Sequence, residues 1–363
     1  MVTSLVRTFD DPDDMSSALR PHQIQLTTTE RGRFAGGVIA IELSRLRLWR
    51  GYDELARVAR VVLPDDRAVF AFVPSLVSRL AVGGMEAERG LVLRQSLARD
   101  HYQTSFGPST WANMSLPVPD LPAIAFVCGI DLSPPRDSQI MLPSARALGR
   151  LQRLHVAAAG LASGAPEILA RPEAARGLEL ALIEALAACL ADAAAVPGRA
   201  SPGAHNLIMR RFSRLLTDRP AETLFMEDVG AAIGTSARTL RDCCHEHIGM
   251  GPKRFLMLRR MNLVHRALQH ADSKKTTVTA LATEFGFWEL GRFAVAYREL
   301  FGETPSATLL RPPRTAPAPL PIDPRPLADS GGGTSWLARL WAAAVSAEPN
   351  DLDLVFSRLV VGE

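Results

Sequence analysis

The 363-residue chain has little of what would assign it to several large classes. Cysteine is scarce: four in the whole length, two of them adjacent, which excludes a disulfide framework and suits a reduced, cytoplasmic protein. The start, "MVTSLVRTFDDPDD", lacks the apolar run behind a basic head that marks a secretory signal. No clean hydrophobic run is long enough for a membrane span. The longest, Leu178 to Val196, is broken by Glu179, Glu184 and Asp192 and reads as a core helix. A phosphate-binding loop, a dinucleotide fingerprint and a Ser-His-Asp order are also missing. His22, His101 and His155 are scattered, without the tight cluster of histidines and a carboxylate that a metal-dependent barrel oxygenase needs. Neither enzymatic activity nor a cofactor nor membrane association is expected.

Net charge is small, +3, but unevenly placed. From His205 to Arg311 there are 16 Lys and Arg against 11 Asp and Glu, or +5; the remainder carries 25 against 27, or −2. Five of the eight histidines lie in the same basic segment. Such an excess permits nucleic-acid binding without requiring it.

What is present divides the chain. Between about Phe34 and Leu142, short alternating runs ("GVIAIEL", "RLRLW", "RAVFAFV", "GLVLRQSL") are separated by Gly, Pro and Asp, the signature of many short strands in a barrel or sandwich. From Ser144 to Val196 the pattern turns helical, with breaks near "SGAPE" and "ARPEAAR". The expected class is α+β: a β-rich barrel or sandwich with a helical end over 1–195, a linker at 196–205, an all-α domain over 206–311, and a Pro- and Gly-rich tail at 312–363. The tail is expected to be disordered, with one apolar run, "WLARLWAAAV".

The all-α segment contains a repeat. "DVGAAIGTSARTLRDCCHEHIGMGP" (Asp228 to Pro252) aligns with "ALATEFGFWELGRFAVAYRELFGETP" (Ala280 to Pro305). Gly230 and Gly234 match Ala282 and Gly286 at an offset of 52; Leu240, Cys244, Gly249 and Pro252 match Phe293, Tyr297, Gly302 and Pro305 at 53. One extra residue in the second turn accounts for the change. Each copy reads as helix, glycine turn, helix, glycine stop, over about 228–249 and 280–302: a helix-turn-helix, twice. Between them, Pro252 to Ala271 has apolar residues at helical spacing. Twenty helical residues span ~30 Å. Readers of successive major grooves sit ~34 Å apart, so a rigid connector of this length suits two readers on one duplex.

These residues, "GFWELGRFAVAYRELFGETPS", "SARTLR", "IGMGPKRF" and "RRMNLVHRAL", resemble the AraC/XylS family of bacterial transcription regulators. The resemblance covers about Asn206 to Arg311, and "FGFWELGRF" is similar to regulators of the ethanolamine-operon type. It implies a sequence-specific DNA-binding activator with an N-terminal domain that senses a small-molecule effector and supports a homodimer. The implied partners are double-stranded DNA and RNA polymerase. A pure protein-interaction module remains the alternative for the N-terminal half.

Recognition helices present their N-terminal residues to base edges. In the first copy Ser236 is the expected N-cap, with Arg238, Thr239, Arg241 and Asp242 exposed behind it. Arg238 and Arg241 are the expected guanine readers. Asp242 stands where relatives carry a basic residue, and could accept from a cytosine, repel a phosphate or orient an arginine. In the second copy the exposed set is Trp288, Glu289, Gly291, Arg292 and Val295, with Arg292 the one polar reader. Trp288 either meets a thymine methyl or packs on the turn. Lys253, Arg254 and Arg259 are expected on phosphates. In "CCHEH", Cys243 and His247 have metal-ligand spacing, but no second pair lies near and Cys244 occupies the core slot of Tyr297, so no metal is expected. "RDHYQTSFGPSTW" (Arg99 to Trp111) is expected either to line a pocket or to close a sheet.

Overall fold

The computed structural model describes residues 3–19, 22–74, 78–88, 90–96, 100–196, 203–219 and 226–314. The chain begins with β1 (Thr3–Phe9), a short helix α1 (Pro12–Ala18) and β2 (Gln23–Thr28). A run of strands follows: β3 (Gly36–Glu42), β4 (Arg47–Asp53), β5 (Arg57–Val62), β6 (Arg67–Phe72), β7 (Leu80–Val82), β8 (Met85–Ala87), β9 (Val92–Arg94), β10 (Asp100–Ser105) and β11 (Ser109–Pro117). Then come α2 (Leu121–Cys128), β12 (Gln139–Leu142), α3 (Ala145–Gly164), α4 (Pro166–Leu169), α5 (Pro172–Ala191) and β13 (Ala194–Ala195). The strands form an antiparallel sheet in the order β1-β3-β4-β11-β6-β9-β12-β13 and a second in the order β2-β5-β10-β7-β8. No pairing among the described residues closes them into a barrel, so the fold is a sandwich.

Strand alternation gives the large sheet two different faces. Ile41, Leu48, Phe70, Met114 and Leu116 point outward and are covered by Leu151 of α3 and Leu178, Leu182 and Leu186 of α5. Val38, Ala40, Trp49 and Val69 point inward and meet Leu26, Ala59 and Val61 of the small sheet. Glu179, an apparent break in the hydrophobic run, lies buried within α5. Its Oε1 accepts from the amides of Arg45 and Leu46 at 2.6 and 2.9 Å, satisfying two buried turn donors.

The remaining helices are α6 (Gly203–Asp218), α7 (Met226–Ile233), α8 (Ala237–Ile248), α9 (Pro252–His270), α10 (Val278–Glu284), α11 (Leu290–Phe301) and α12 (Pro305–Leu309). Both helix-turn-helix units and the connector are present. Gly234 and Gly286 turn with φ of 70° and 77°, and Gly249 and Gly302 stop their helices at 76° and 75°. A side chain is strained at these values, which explains why glycine recurs at both offsets. Each unit has its own core, one around Phe212, Leu240, Cys244 and Phe255, the other around Val264, Phe293 and Tyr297.

The helical part is docked on the outer face of the small sheet. Val58 and Tyr102 belong to the core of the first unit, with Tyr102 edge-on to Phe255 at 5.8 Å. Thr104 Oγ1 donates to the carbonyl of His247 at 3.0 Å, and Arg60 and Asp100 share Ser213 of α6. On the edge strand β2, Thr28 is held by Asn262 of α9: Oδ1 accepts from Thr28 N at 3.0 Å and Oγ1 at 2.9 Å, and Nδ2 donates to Thr28 O at 3.1 Å. The acidic start of α1 meets the far end of α9. Asp13 pairs with Arg266, Asp11 accepts from Gln269 at 2.7 Å, and Arg314 reaches Asp10 and Asp14 at 2.9 and 3.0 Å.

The N-terminal strands β1 and β2 lie before the segment whose alternation predicts strands, and α6 begins at Gly203, inside the expected linker. Most of that linker (197–202), most of the expected tail (315–363) and its "WLARLWAAAV" lie outside the described residues.

Candidate nucleic-acid interface

The two recognition helices, α8 and α11, correspond in bounds and caps at an offset of 53, and their entries differ chemically. Ser236 caps α8, its Oγ accepting from Thr239 N at 3.0 Å. The matching residue before α11, Glu289, makes no capping bond and instead pairs with Arg292 at 2.9 Å. Arg238, Arg241 and Asp242 are exposed, while Thr239 is half-buried and shares a hydrogen bond with Ser236 at 2.8 Å. At the equivalents of Arg238, Thr239 and Asp242, the second helix carries Gly291, Arg292 and Val295, all exposed. Trp288 is 76 % and Val295 60 % exposed, on the solvent side of a helix whose other side holds Phe293 and Tyr297. Trp288 therefore does not pack down on the turn; Phe287 does so beside it, its ring 4.9 Å from Phe293 and under the Arg260 guanidinium. The structure thus gathers the expected residues into two exposed helix entries, one polar and cationic, one largely apolar.

Lys253 and Arg254 are exposed in the first turn of α9, which holds no acidic residue. Cations at a helix N-terminus oppose the dipole, an arrangement relieved by a bound anion. Arg259 departs from expectation. It is half-buried and its Nη2 donates to Leu216 O at 2.7 Å, closing the end of α6. Cys243, Cys244 and His247 are buried, and the described residues contain no group of three metal-ligating side chains. Burial pushes the Cys243 and Cys244 thiols up to about 11 and about 12, and the His247 imidazole down to about 4.

A second feature, missed by motif reasoning, lies between the sheets. A cavity enclosing ≈ 1030 Å³ of atom-free space, its open mouth included, is walled mainly by carbon, including Leu26, Val61, Val69 and Trp49. Gln103 and Trp111 of the "RDHYQTSFGPSTW" segment do line it, so that segment both lines a pocket and completes the sheets. Gly51 seats the Trp111 indole: a Cβ there would stand 2.3 Å from the ring. Asp53 and Arg57 also contribute to the wall, and only their inward parity on β4 and β5 could have flagged them. On β5 and β10 the alternation has a second meaning. Ala59, Val61 and Gln103 face the cavity, while Val58, Arg60, Tyr102 and Thr104 face the helical part.

Residues 229–311 match the family model described as "Helix-turn-helix domain". The chain is 31 % identical over 101 residues to "XylDLEGF operon transcriptional activator 3" of Pseudomonas putida, covering 28 % of this chain and 30 % of that protein. It is 33 % identical over 121 residues to the "Probable thc operon regulatory protein" of Rhodococcus erythropolis, covering 33 % of this chain and 34 % of that one. The matched region thus spans about a third of these relatives' length. Among solved structures, the AraC-like transcriptional activator CuxR aligns over 72 % of this chain and 94 % of its own, at 15 % identity and a TM-score of 0.37. Residues 229–311 are thus a helix-turn-helix domain, and the chain's similarity to these two regulators is confined to about a third of its length. Among the described residues no helix is long and apolar enough to cross a membrane.

Proposed function

We propose that the chain is a sequence-specific DNA-binding transcription regulator, an activator of the AraC/XylS type, whose cavity takes a small-molecule effector. The observation that carries this reading is the duplicated helix-turn-helix with both recognition-helix entries exposed, joined by a 19-residue helix about 28 Å long. In this reading Arg238 and Arg241 read guanine edges, with Asp242 orienting them and Ser236 and Thr239 fixing the helix entry. Trp288, Gly291 and Val295 present an apolar second face, with Arg292, Lys253 and Arg254 on phosphates. The effector acts through β5 and β10, which touch cavity and reader on alternate residues. A homodimer, contact with RNA polymerase, a cytoplasmic location and an ethanolamine-operon subtype belong to the same proposal, as do the domain limits 1–195 and 206–311. A carbon-walled cavity with a few polar groups in its lining favours a ligand sensor over a pure protein-interaction module.

The test uses the full chain, because Val58 and Tyr102 complete the first unit's core. A protein neutralising ~6 phosphates loses roughly a thousandfold in duplex affinity between about 50 and 200 mM salt. A folded full-length protein without such a slope, on any genomic fragment enriched by it, is not a DNA-binding regulator.

A further inference from the structure

Gly291 is a glycine that the fold does not require. It stands in the first turn of α11, outside the left-handed region that Gly234, Gly249, Gly286 and Gly302 occupy. A Cβ added to it would meet nothing within 4 Å beyond its own turn. Neither backbone conformation nor packing therefore calls for glycine here, and glycine weakens a helix relative to alanine. Val295 is a second poor choice for helix stability, being β-branched and, although apolar, largely exposed. Residues four apart share a helix face, and this pair lies on the side away from the buried Phe293 and Tyr297. Two unfavourable choices thus coincide on the exposed ridge of the second recognition helix.

The matching ridge of α8 carries Arg238 and Asp242, both exposed. That helix meets a partner through long or charged side chains; α11 has neither at these positions. Its cations lie elsewhere, Arg292 paired with Glu289 at 2.9 Å and Arg298 in the last turn. Without a polar side chain on the ridge, side-chain discrimination between bases falls to apolar contact, and in the major groove the apolar group is the 5-methyl of thymine. A side chain as short as valine reaches that methyl only if the helix backbone comes close to the base edges. Glycine one turn earlier leaves room for that approach, and a longer side chain takes the room away. We infer that α11 sits deeper in the major groove than α8, with the Gly291 backbone against a base edge and the Val295 methyls on a thymine 5-methyl group. This rests on the DNA-binding reading and adds to it a base identity and the residue that sets the depth.

The experiment starts from duplexes that the full chain enriches from a random pool. Gly291→Ala should melt no lower than the parent, because the added methyl enters open space, and Gly291→Leu close to it. Both should bind the enriched duplex at least about fivefold more weakly, the low end of what a lost base contact costs, with binding to random DNA unchanged. On the DNA side, each thymine of the enriched site is replaced in turn by cytosine and by 5-methylcytosine. At the thymine under Val295, 5-methylcytosine should bind about fourfold more tightly than cytosine, the equivalent of burying one methyl group. Val295→Ala should abolish that difference. If Gly291→Leu binds the enriched duplex as tightly as the parent, or cytosine and 5-methylcytosine are equivalent at every position, the proposal is overturned and DNA binding stands. Should Gly291→Leu melt far below the parent, the comparison of the two cytosines, made with the unaltered chain, still decides. A pool that yields no enriched duplex overturns the DNA-binding reading and this inference together.

Discussion

Replacing Asn262 by alanine tests how the two halves of the molecule are held together. Thr28 lies on the edge strand β2, 5 % exposed, and its amide and carbonyl both end on the Asn262 carboxamide. A third bond joins the Thr28 hydroxyl to the same side chain, and a fourth, to Leu258 O at 2.8 Å, fixes the amide on its own helix. Alanine deletes three cross-interface bonds worth ~0.5–1.5 kcal/mol each and strands a buried donor and acceptor. The summed local loss is about 2–4 kcal/mol, which lowers protection of the Thr28 amide roughly 30- to 1,000-fold. Hydrogen exchange on the full chain reads that amide directly, and amides of β3 and β4 in the larger sheet serve as internal controls. Asn262→Asp keeps an acceptor but places a carboxylate against Thr28 O, and should be no better than alanine. Unchanged protection at Thr28 in both variants would mean that α9 does not close this edge, and the docking argument would fall with it.

Arg241→Ala is expected to cost ~1–3 kcal/mol against the cognate site and much less against random DNA, whereas Arg292→Ala, already paired to Glu289, should weaken all sequences alike and lower the salt slope by about one. Competition binding at two salt concentrations separates them, and the reverse pattern would invert the roles of the two helices. Trp288→Ala should leave the melting temperature unchanged, since the side chain is largely exposed, yet weaken operator binding. The same loss should appear when deoxyuridine replaces thymidine at one or two operator positions; equal affinity for both DNAs would remove the methyl contact. Burial lowers the pKa of His155 to about 3, below the ~6.5 of an unfolded chain. A lowered folded value means its contribution is intact above pH ~6.5 and is lost as pH falls toward the folded value. Neither ring nitrogen has a partner among the described residues, so His155→Leu should stabilise the chain by about 1–3 kcal/mol, increasingly so between pH 7.5 and 5.5. A melting-temperature difference that stays flat across that range would contradict the assignment.

What could be read in the sequence was local. The repeat was legible because Gly234, Gly249, Gly286 and Gly302 each need a left-handed backbone, and because core slots such as Cys244 and Tyr297 recur at fixed spacing. The connector's limits followed from Pro252 and helical periodicity, and the capping role of Ser236 from its residue type. Long-range features were not legible. Nothing in "FDDPDDM" announces that its aspartates meet Arg266 and Arg314, because surface carboxylates and interface carboxylates look alike until the chain is folded. Arg259 has the composition of a phosphate contact, and only the position of α6 turns it toward Leu216 O. The cavity wall was hidden for a related reason: nothing local marks Asp53 and Arg57, at adjoining ends of β4 and β5, as buried, and their burial depends on the second sheet.

Under the proposed effector-cavity reading, the shared strands β5 and β10 bear on any attempt to retune this molecule as a biosensor. A substitution at Ala59, Val61 or Gln103 alters the chamber and, through the backbone of the same strand, shifts Val58, Arg60, Tyr102 or Thr104 against the reader. Changes in ligand preference made there would arrive entangled with changes in basal output. The opposite wall differs: the strands carrying Trp49, Ala71, Trp111 and Asn113 turn their other faces toward the α3 and α5 layer. A library confined to that wall should change which molecule is detected while leaving the uninduced signal where it was, whereas one built on the small sheet should scatter both.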